Sequence, residues 1–181
     1  MGLTLLLGGA RSGKSRSAVR LAASWDGPVV IVVTGEPRDE EMAARIARHR
    51  AERPAEWTTV EEPVDLQAAI EGAPPDAAAI VDCLTLWISN LTERGIDDDE
   101  VERRARDAAW VAAARPSPTI AVSNEVGWGI VPMHPVSRRY RDLLGLANQV
   151  WAAEADRVLL MVAGRALPLH RLEEGIDDRR G

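Results

Sequence analysis

A phosphate-binding signature near the start of the chain constrains the fold more than any other feature. The residues Gly8-Gly9-Ala10-Arg11-Ser12-Gly13-Lys14-Ser15 read G-x-x-x-x-G-K-S and directly follow the mostly apolar residues 3–7. This context predicts a strand, a glycine-rich turn and a helix that opens at Ser15. Gly8, Gly9 and Gly13 would let backbone N–H groups curl around phosphate oxygens, helped by the positive end of the helix. We expect Lys14 to contact the β- and γ-phosphates of a nucleoside triphosphate, and the Ser15 hydroxyl to bind Mg²⁺.

Composition and charge favour a compact enzyme of one domain. A chain of 181 residues can bury a sizeable core, and its net charge of −6 argues against a nucleic-acid partner or a membrane surface. The sole cysteine, Cys83, allows no intrachain disulfide and is typical of a reducing cytoplasm. No stretch is long and apolar enough to span a bilayer, and residues 1–7 lead straight into the signature, so we expect no cleavable leader. The prediction is a cytoplasmic protein.

Hydrophobic runs alternate with amphipathic stretches along the chain. This pattern is typical of an α/β fold with a mostly parallel sheet and helices on both faces. Strands are predicted at residues 3–7, 29–34, 57–60, 77–82, 119–122 and 157–162, and helices at 15–24, 39–52, 64–71, 84–93, 98–114 and 137–155. Clear apolar faces are made by Val101, Ala105, Ala108 and Ala112 and by Tyr140, Leu143, Leu144, Ala147 and Trp151. We expect one domain over residues 1–172 and a disordered tail over 173–181.

Asp82 is the second candidate for metal binding. It ends the hydrophobic residues 77–81, so it is expected at the sheet edge where ligands collect in parallel α/β folds. A carboxylate on a strand near the phosphate-binding loop is the usual second ligand of the nucleotide's Mg²⁺. The alternative is a structural carboxylate that caps the helix beginning at Leu84.

His49 is the histidine best placed for chemistry. Met42, Ile46 and His49 share one face of the helix predicted at 39–52, and Arg45 and Arg53 flank the histidine at four residues on either side. An imidazole among guanidinium groups could act as a nucleophile or acid–base group toward phosphate. The alternative is a structural histidine that contacts the last carbonyls of its helix. His134 and His170 are weaker candidates.

The stretch 124–132 is a candidate substrate loop. It contains Gly127 and Gly129, which permit a flexible turn, and it follows the strand predicted at 119–122. We expect it to face the nucleotide or the second substrate, while an ordinary strand-to-helix connection is the alternative.

Six collinear stretches resemble one known family, the bifunctional adenosylcobinamide kinase/adenosylcobinamide-phosphate guanylyltransferases of cobalamin biosynthesis. The resemblance covers residues 3 to about 165. It is carried by the signature at 8–15, the helix Asp39-Glu40-Glu41-Met42-Ala43-Ala44-Arg45-Ile46 running on to His49, Arg53-Pro54-Ala55-Glu56-Trp57, Asp82-Cys83-Leu84-Thr85, Ser123-Asn124-Glu125-Val126-Gly127-Trp128-Gly129-Ile130-Val131-Pro132 and Tyr140-Arg141-Asp142. The signature occurs in many families, whereas the helix ending in His49 and the stretch at 123–132 are much more specific.

The resemblance implies a single-domain P-loop NTPase of RecA-like fold, a homotrimer and two reactions. ATP or GTP phosphorylates adenosylcobinamide; GTP then transfers GMP to adenosylcobinamide-phosphate through a histidine that matches His49, giving adenosylcobinamide-GDP. Lys14 and His49 are the implied catalytic residues, and Ser15 and Asp82 the implied Mg²⁺ ligands. The implied nucleotide contacts are Gly8, Gly9, Ala10, Arg11, Ser12, Gly13, Lys14, Ser15, Val33, Thr34, Gly35, Arg50, Ala51, Glu52, Arg53, Glu61 and Asp82. Two positions depart from some members, which have histidine in place of Arg48 and glutamate in place of Asp82.

A kinase with one activity remains the alternative, since it would share the signature and Asp82 and leave His49 without a role. A GTPase switch is disfavoured because the sequence contains no Asn-Lys-x-Asp motif.

Overall fold

The computed structural model describes residues 2–51 and 53–171, except for the side chain of Arg45. In these residues, helices and strands alternate as the hydrophobic pattern predicts. In chain order they are β1 (Leu3–Leu7), α1 (Lys14–Ala22), β2 (Val29–Val33), α2 (Glu40–Ala51), β3 (Thr58–Glu61), α3 (Leu66–Glu71), β4 (Ala78–Asp82), α4 (Leu84–Glu93), α5 (Asp98–Ala114), β5 (Thr119–Val122), α6 (Pro135–Glu154), β6 (Arg157–Val162) and β7 (Arg165–Leu169).

The strands form one seven-stranded sheet in the order β3-β2-β4-β5-β1-β6-β7. All neighbouring pairs from β3 to β6 are parallel, and β7 alone is antiparallel to its neighbour β6. The carboxyl ends of six strands therefore meet at one edge of the sheet, which is where ligands bind in folds of this kind. Strand β5 separates β1, which precedes the glycine-rich turn, from β4, which ends in Asp82.

Helices cover both faces of the sheet, because the buried strands alternate their side chains between two apolar clusters. Leu3, Leu5 and Leu7 of β1 face a cluster formed with α3, α4, α5 and α6, whereas Leu6 faces a second cluster with α1. The predicted apolar faces of α5 and α6 are confirmed: all their residues are buried except Tyr140, which is half-buried.

The last strand is the main departure from the predicted pattern. The sequence pattern predicts no strand after residue 162, which is wrong, since Val162 pairs with Arg165 and β7 extends to Leu169. The two residues between them, Ala163 and Gly164, have φ angles of 50° and 76°, as a two-residue type I′ hairpin turn requires. The sequence does not indicate this turn, because alanine rarely adopts the positive φ that Ala163 has here. The tail predicted at 173–181 lies outside the described residues.

Candidate active site

The glycine-rich turn has a backbone that only glycine tolerates at two positions. Gly8 has a φ of 144°, and a Cβ there would lie 2.4 Å from the Met161 carbonyl oxygen. Gly13 has a φ of 99° and immediately precedes α1 as its N-cap. The expectation that Gly9 is also needed for the curl is wrong, because its φ is not in the positive region and a Cβ would have open space.

Lys14 lies within the curl of this turn. Its Nζ donates hydrogen bonds to the carbonyl oxygens of Gly8 at 2.8 Å and Gly9 at 2.7 Å, and the residue is buried. No side chain caps the amino end of α1, and its first turn contains no acidic residue. A positive helix end and an ammonium group therefore converge on residues 8–13, an arrangement that is chemically suited to a phosphate group.

Asp82, the last residue of β4, contacts the start of α1. The Ser15 Oγ donates to Asp82 Oδ1 at 3.4 Å, and Arg53 Nη2 donates to Asp82 Oδ2 at 2.9 Å. The Arg53–Asp82 ion pair is largely buried, with side-chain exposures of 10% and 17%. The alternative role of Asp82 as the cap of α4 is not supported, because Cys83 is the N-cap of that helix and no side chain caps it.

The donor set at this position fits Mg²⁺. A hydroxyl and a carboxylate are hard oxygen ligands, and Mg²⁺ on a nucleotide is usually held by one or two protein oxygens, phosphate oxygens and waters. In the described residues no group of three His, Cys, Asp or Glu side chains could hold a metal by itself. Ser15 and Asp82 would therefore share the ion with a bound triphosphate.

Helix α2 carries His49 in its last turn at the same edge of the sheet. Met42, Ile46 and His49 are half-buried, while most of their neighbours on the helix are exposed, so the predicted stripe is confirmed. A Cβ on Gly35 would lie 3.1 Å from Leu86 Cδ1 and 3.7 Å from Ile46 Cδ1. The approach to Leu86 of α4 is tight, so Gly35 makes room for that side chain, whereas Ile46 of α2 lies at an ordinary contact distance.

The predicted arrangement of arginines around His49 needs correction. Helix α2 ends at Ala51, so Arg53 does not continue the helical face of His49; it turns to Asp82 instead. The side chain of Arg45 lies outside the described part of the structure.

Three further predicted nucleotide contacts, Val33, Arg50 and Glu61, lie along the same sheet edge. Val33 pairs with both Glu61 and Asp82 in the strand register, and Arg50 Nη1 lies 3.9 Å from Glu61 Oε1 in an exposed ion pair. Ala10, Arg11 and Ala51 are exposed, and Glu52 lies outside the described residues.

Thr34 serves the structure of this edge. Its hydroxyl donates to the Cys83 carbonyl oxygen at 2.6 Å and accepts from the Cys83 N–H at 3.0 Å, and the residue is fully buried. Its backbone N–H donates to the Asp82 carbonyl oxygen at 3.2 Å and its own carbonyl oxygen accepts from Asn90, so the predicted nucleotide contact of Thr34 stays a prediction.

The connection between β2 and α2 is held by polar residues that sequence reasoning missed. Asn90 on α4 is buried and donates to the carbonyl oxygens of Thr34 at 2.7 Å and Pro63 at 3.0 Å. Glu36 accepts hydrogen bonds from Arg94 and Arg38, which lower the pKa of its carboxyl to about 2. No local pattern marks these residues, because Asn90 is 56 positions from Thr34, and Arg94 is 58 positions from Glu36.

These features define a class of protein: an α/β phosphotransferase whose P-loop follows β1 and whose β4 ends in an aspartate, Asp82. Residues 4–169 match a family described as cobinamide kinase / cobinamide phosphate guanyltransferase. The chain belongs to this family, and it has the kinase and guanylyltransferase activities for which the family is named. The single-activity alternative has no support in these comparisons.

Several curated relatives cover nearly the whole chain. It is 46% identical over 167 residues to the bifunctional adenosylcobalamin biosynthesis protein CobP of Pseudomonas aeruginosa, covering 91% of this chain and 95% of that one. It is 40% identical over 176 residues to the CobU protein of the same description from Salmonella typhimurium, covering 90% and 96%. A solved structure from Pyrococcus horikoshii OT3 shares the fold alone, with a TM-score of 0.55, 8% identity and coverage of 92% and 85%.

Proposed function

We propose that the P-loop and Asp82 form the site of phosphoryl transfer from ATP or GTP to the hydroxyl group of adenosylcobinamide. The observation that carries this assignment is the convergence of Lys14, Ser15 and Asp82 at one sheet edge. Phosphoryl transfer proceeds through a loose transition state, so the protein contributes mainly positioning and positive charge. Lys14 supplies a cation toward the β- and γ-phosphates, and the N–H groups of the turn orient the phosphate chain.

Arg53 acts on this site through Asp82. Its guanidinium binds one carboxylate oxygen and leaves the other directed toward Ser15. Mg²⁺ bound by Ser15 and Asp82 would neutralise negative charge on the triphosphate. Arg53 is therefore a positioning residue that holds the carboxylate in one orientation.

The second reaction uses His49 as the nucleophile. Its imidazole nitrogen attacks the α-phosphorus of GTP and pyrophosphate leaves, after which an oxygen of adenosylcobinamide-phosphate takes the GMP group from the histidine. A covalent intermediate divides one difficult displacement into two easier ones. The position of His49 at the end of α2, on the edge that also carries Asp82, supports this role.

The cellular setting follows from the reactants. ATP and GTP are abundant in the cytoplasm, and the one cysteine of the chain is compatible with a reducing compartment, so we place the enzyme there. We also expect a homotrimer, an assembly that the family resemblance implies and that light scattering of the purified protein can measure.

Labelling with GTP tests the role of His49. With label on the α-phosphate, the protein should acquire a phosphoramidate that is labile to acid and stable to base, and label on the γ-phosphate should not remain bound. The variant His49→Ala should lose this label and the guanylyltransferase reaction while it keeps a kinase reaction.

His170→Ala is the matched control, because His170 is an exposed histidine after β7. It should be labelled like the wild type. Label on the His49→Ala protein, together with continued formation of adenosylcobinamide-GDP, would show that His49 is structural.

A further inference from the structure

The connection from β5 to α6 displays an unusual concentration of apolar side chains. Trp128 is 76% exposed, Ile130 97% and Met133 90%, and Val126 and Val131 are also exposed. Single exposed apolar residues are ordinary, but several in a row on a surface mark a place where something binds. We call residues 125–133 the apolar loop.

The beginning of the apolar loop is fixed beside the P-loop. The N–H of Glu125 donates to the Gly8 carbonyl oxygen at 3.1 Å. The preceding residue, Asn124, donates its N–H to Thr85 Oγ1 at 2.8 Å and accepts from Asn148 Nδ2 at 3.0 Å. The loop therefore starts within one hydrogen bond of the carbonyl that also binds Lys14.

The end of the loop is fixed as well. Arg138 on α6 donates from Nη1 to the carbonyl oxygens of Pro132 at 3.0 Å and Met133 at 2.6 Å. Glu125 Oε1 accepts from the Gly127 N–H at 2.7 Å. Polar contacts thus hold the backbone at both ends, while the apolar side chains between them are turned to the surface.

We propose that the apolar loop is the docking surface for the corrin ring of the acceptor substrate. This inference rests on the assignment of phosphoryl transfer to the P-loop. The acceptor hydroxyl is tethered to a broad macrocycle with apolar faces, so the ring must lie beside the P-loop when the hydroxyl reaches the γ-phosphate. The apolar loop begins at Glu125, which is hydrogen-bonded to Gly8 of the P-loop.

Charge supports the same occupant. Glu125 is the only charged residue among residues 124–133. A corrin is a monoanion, so its Co(III) complex with one further anionic ligand remains positively charged, and the neutral amides at its rim add no negative charge. An apolar surface with one carboxylate therefore complements a flat cation, and the indole of Trp128 offers a face on which such a ring can stack.

Steady-state kinetics of the kinase reaction test this inference. Trp128→Ala and Ile130→Ser should each raise the KM for cobinamide at least about tenfold, the effect of losing one well-buried apolar contact. The KM for ATP should stay at the wild-type value. Both side chains are exposed, so neither variant is expected to disturb folding, and the unfolding midpoint of each is measured as a check.

Trp110→Ala is the matched control, because Trp110 is 66% exposed on α5 and lies outside the loop. Its KM for cobinamide should be unchanged. An unaltered KM for cobinamide in both loop variants would overturn the proposal. A change in the oligomeric state of the loop variants, measured by light scattering, would also overturn it. That result would mean that the loop is an interface with a second copy of the chain. Failure of the P-loop assignment would appear separately, as kinase activity that survives the loss of Lys14.

Discussion

Lys14 and Asp82 have opposite charges and lie at one edge of the sheet. Lys14 begins α1, after the turn that follows β1, and Asp82 ends β4, which is not a neighbour of β1. Lys14 is also the only lysine in the sequence. It is buried, and its Nζ donates hydrogen bonds to the carbonyl oxygens of Gly8 and Gly9. The other basic side chains that could hold phosphate are arginines and histidines. At the scale of single residues, Lys14 is therefore the one lysine ammonium group that the sequence offers to the phosphates.

Replacing Lys14 with alanine should reduce kinase turnover by at least about a hundredfold, because a positioned charge that stabilises a transition state is lost. Arg20→Ala removes a surface cation from the same helix and should have little effect. An amine-directed reagent should modify Lys14 in the wild type, and ATP should protect it. Near wild-type turnover in the alanine variant would show that the phosphates bind elsewhere.

Asp82→Asn should preserve the fold and lower Mg²⁺-dependent turnover about tenfold or more, a barrier increase of about 1.4 kcal/mol. The amide has nearly the same size but lacks the negative charge that attracts the ion. Titration of kinase activity with Mg²⁺ measures the effect, and Asp76→Asn, just before β4, is the control. An unchanged titration would mean that Asp82 serves only to bind Arg53.

At the scale of elements, Arg115 joins the end of α5 to the connection between α3 and β4. Its Nη1 and Nη2 donate to four backbone carbonyl oxygens, with distances from 2.6 to 3.1 Å: those of Ile70, Ala73, Pro74 and Ala77. Burial lowers the pKa of the guanidinium from its ordinary value. This side chain holds the segment that leads into β4, and so the strand that carries Asp82.

Arg115→Met should lower the free energy of unfolding by roughly 2–4 kcal/mol, because four carbonyl groups lose a charged donor. Arg106→Met, which removes an exposed arginine paired with Glu102 on the same helix, should cost less than about 1 kcal/mol. Chemical denaturation measures both changes. Equal losses in the two variants would show that the backbone contacts of Arg115 contribute little.

At the scale of the whole molecule, the proposed site exists only in the folded sheet. Its residues come from β1, β2, β3 and β4 and from helices between them. In the described residues no helix is both long and apolar enough to cross a membrane. Because the site is assembled only in the folded sheet, a nucleotide should bind the native chain and not the unfolded one.

Nucleotide with Mg²⁺ should accordingly raise the unfolding midpoint of the protein. At a ligand concentration of 100 times Kd, the expected stabilisation is about 2.7 kcal/mol. Chelation of Mg²⁺ should reduce the shift in the wild type, and the Lys14→Ala protein should show a smaller one. A shift of the same size in that variant would place the binding energy outside the P-loop.

The sequence by itself determined the features that depend on local order. Six of the seven strands are predicted with ends within one residue, because most of them are short apolar runs next to turn residues. The P-loop is visible for the same reason: its glycines, Lys14 and Ser15 act at fixed spacings along one turn. The family was also accessible from the sequence, since its most specific stretches are continuous.

Only the tertiary structure decided which distant residues meet. In the folded chain Arg53 binds Asp82 and does not lie on the helical face of His49. The Thr34 hydroxyl is hydrogen-bonded to the backbone of Cys83. Asn90 of α4 binds the Thr34 carbonyl oxygen at the start of the β2–α2 connection. The tertiary structure also turned the apolar side chains of residues 125–133 outward beside Gly8. These contacts join positions far apart in the chain, so their geometry follows from strand order and helix packing, which no local pattern encodes.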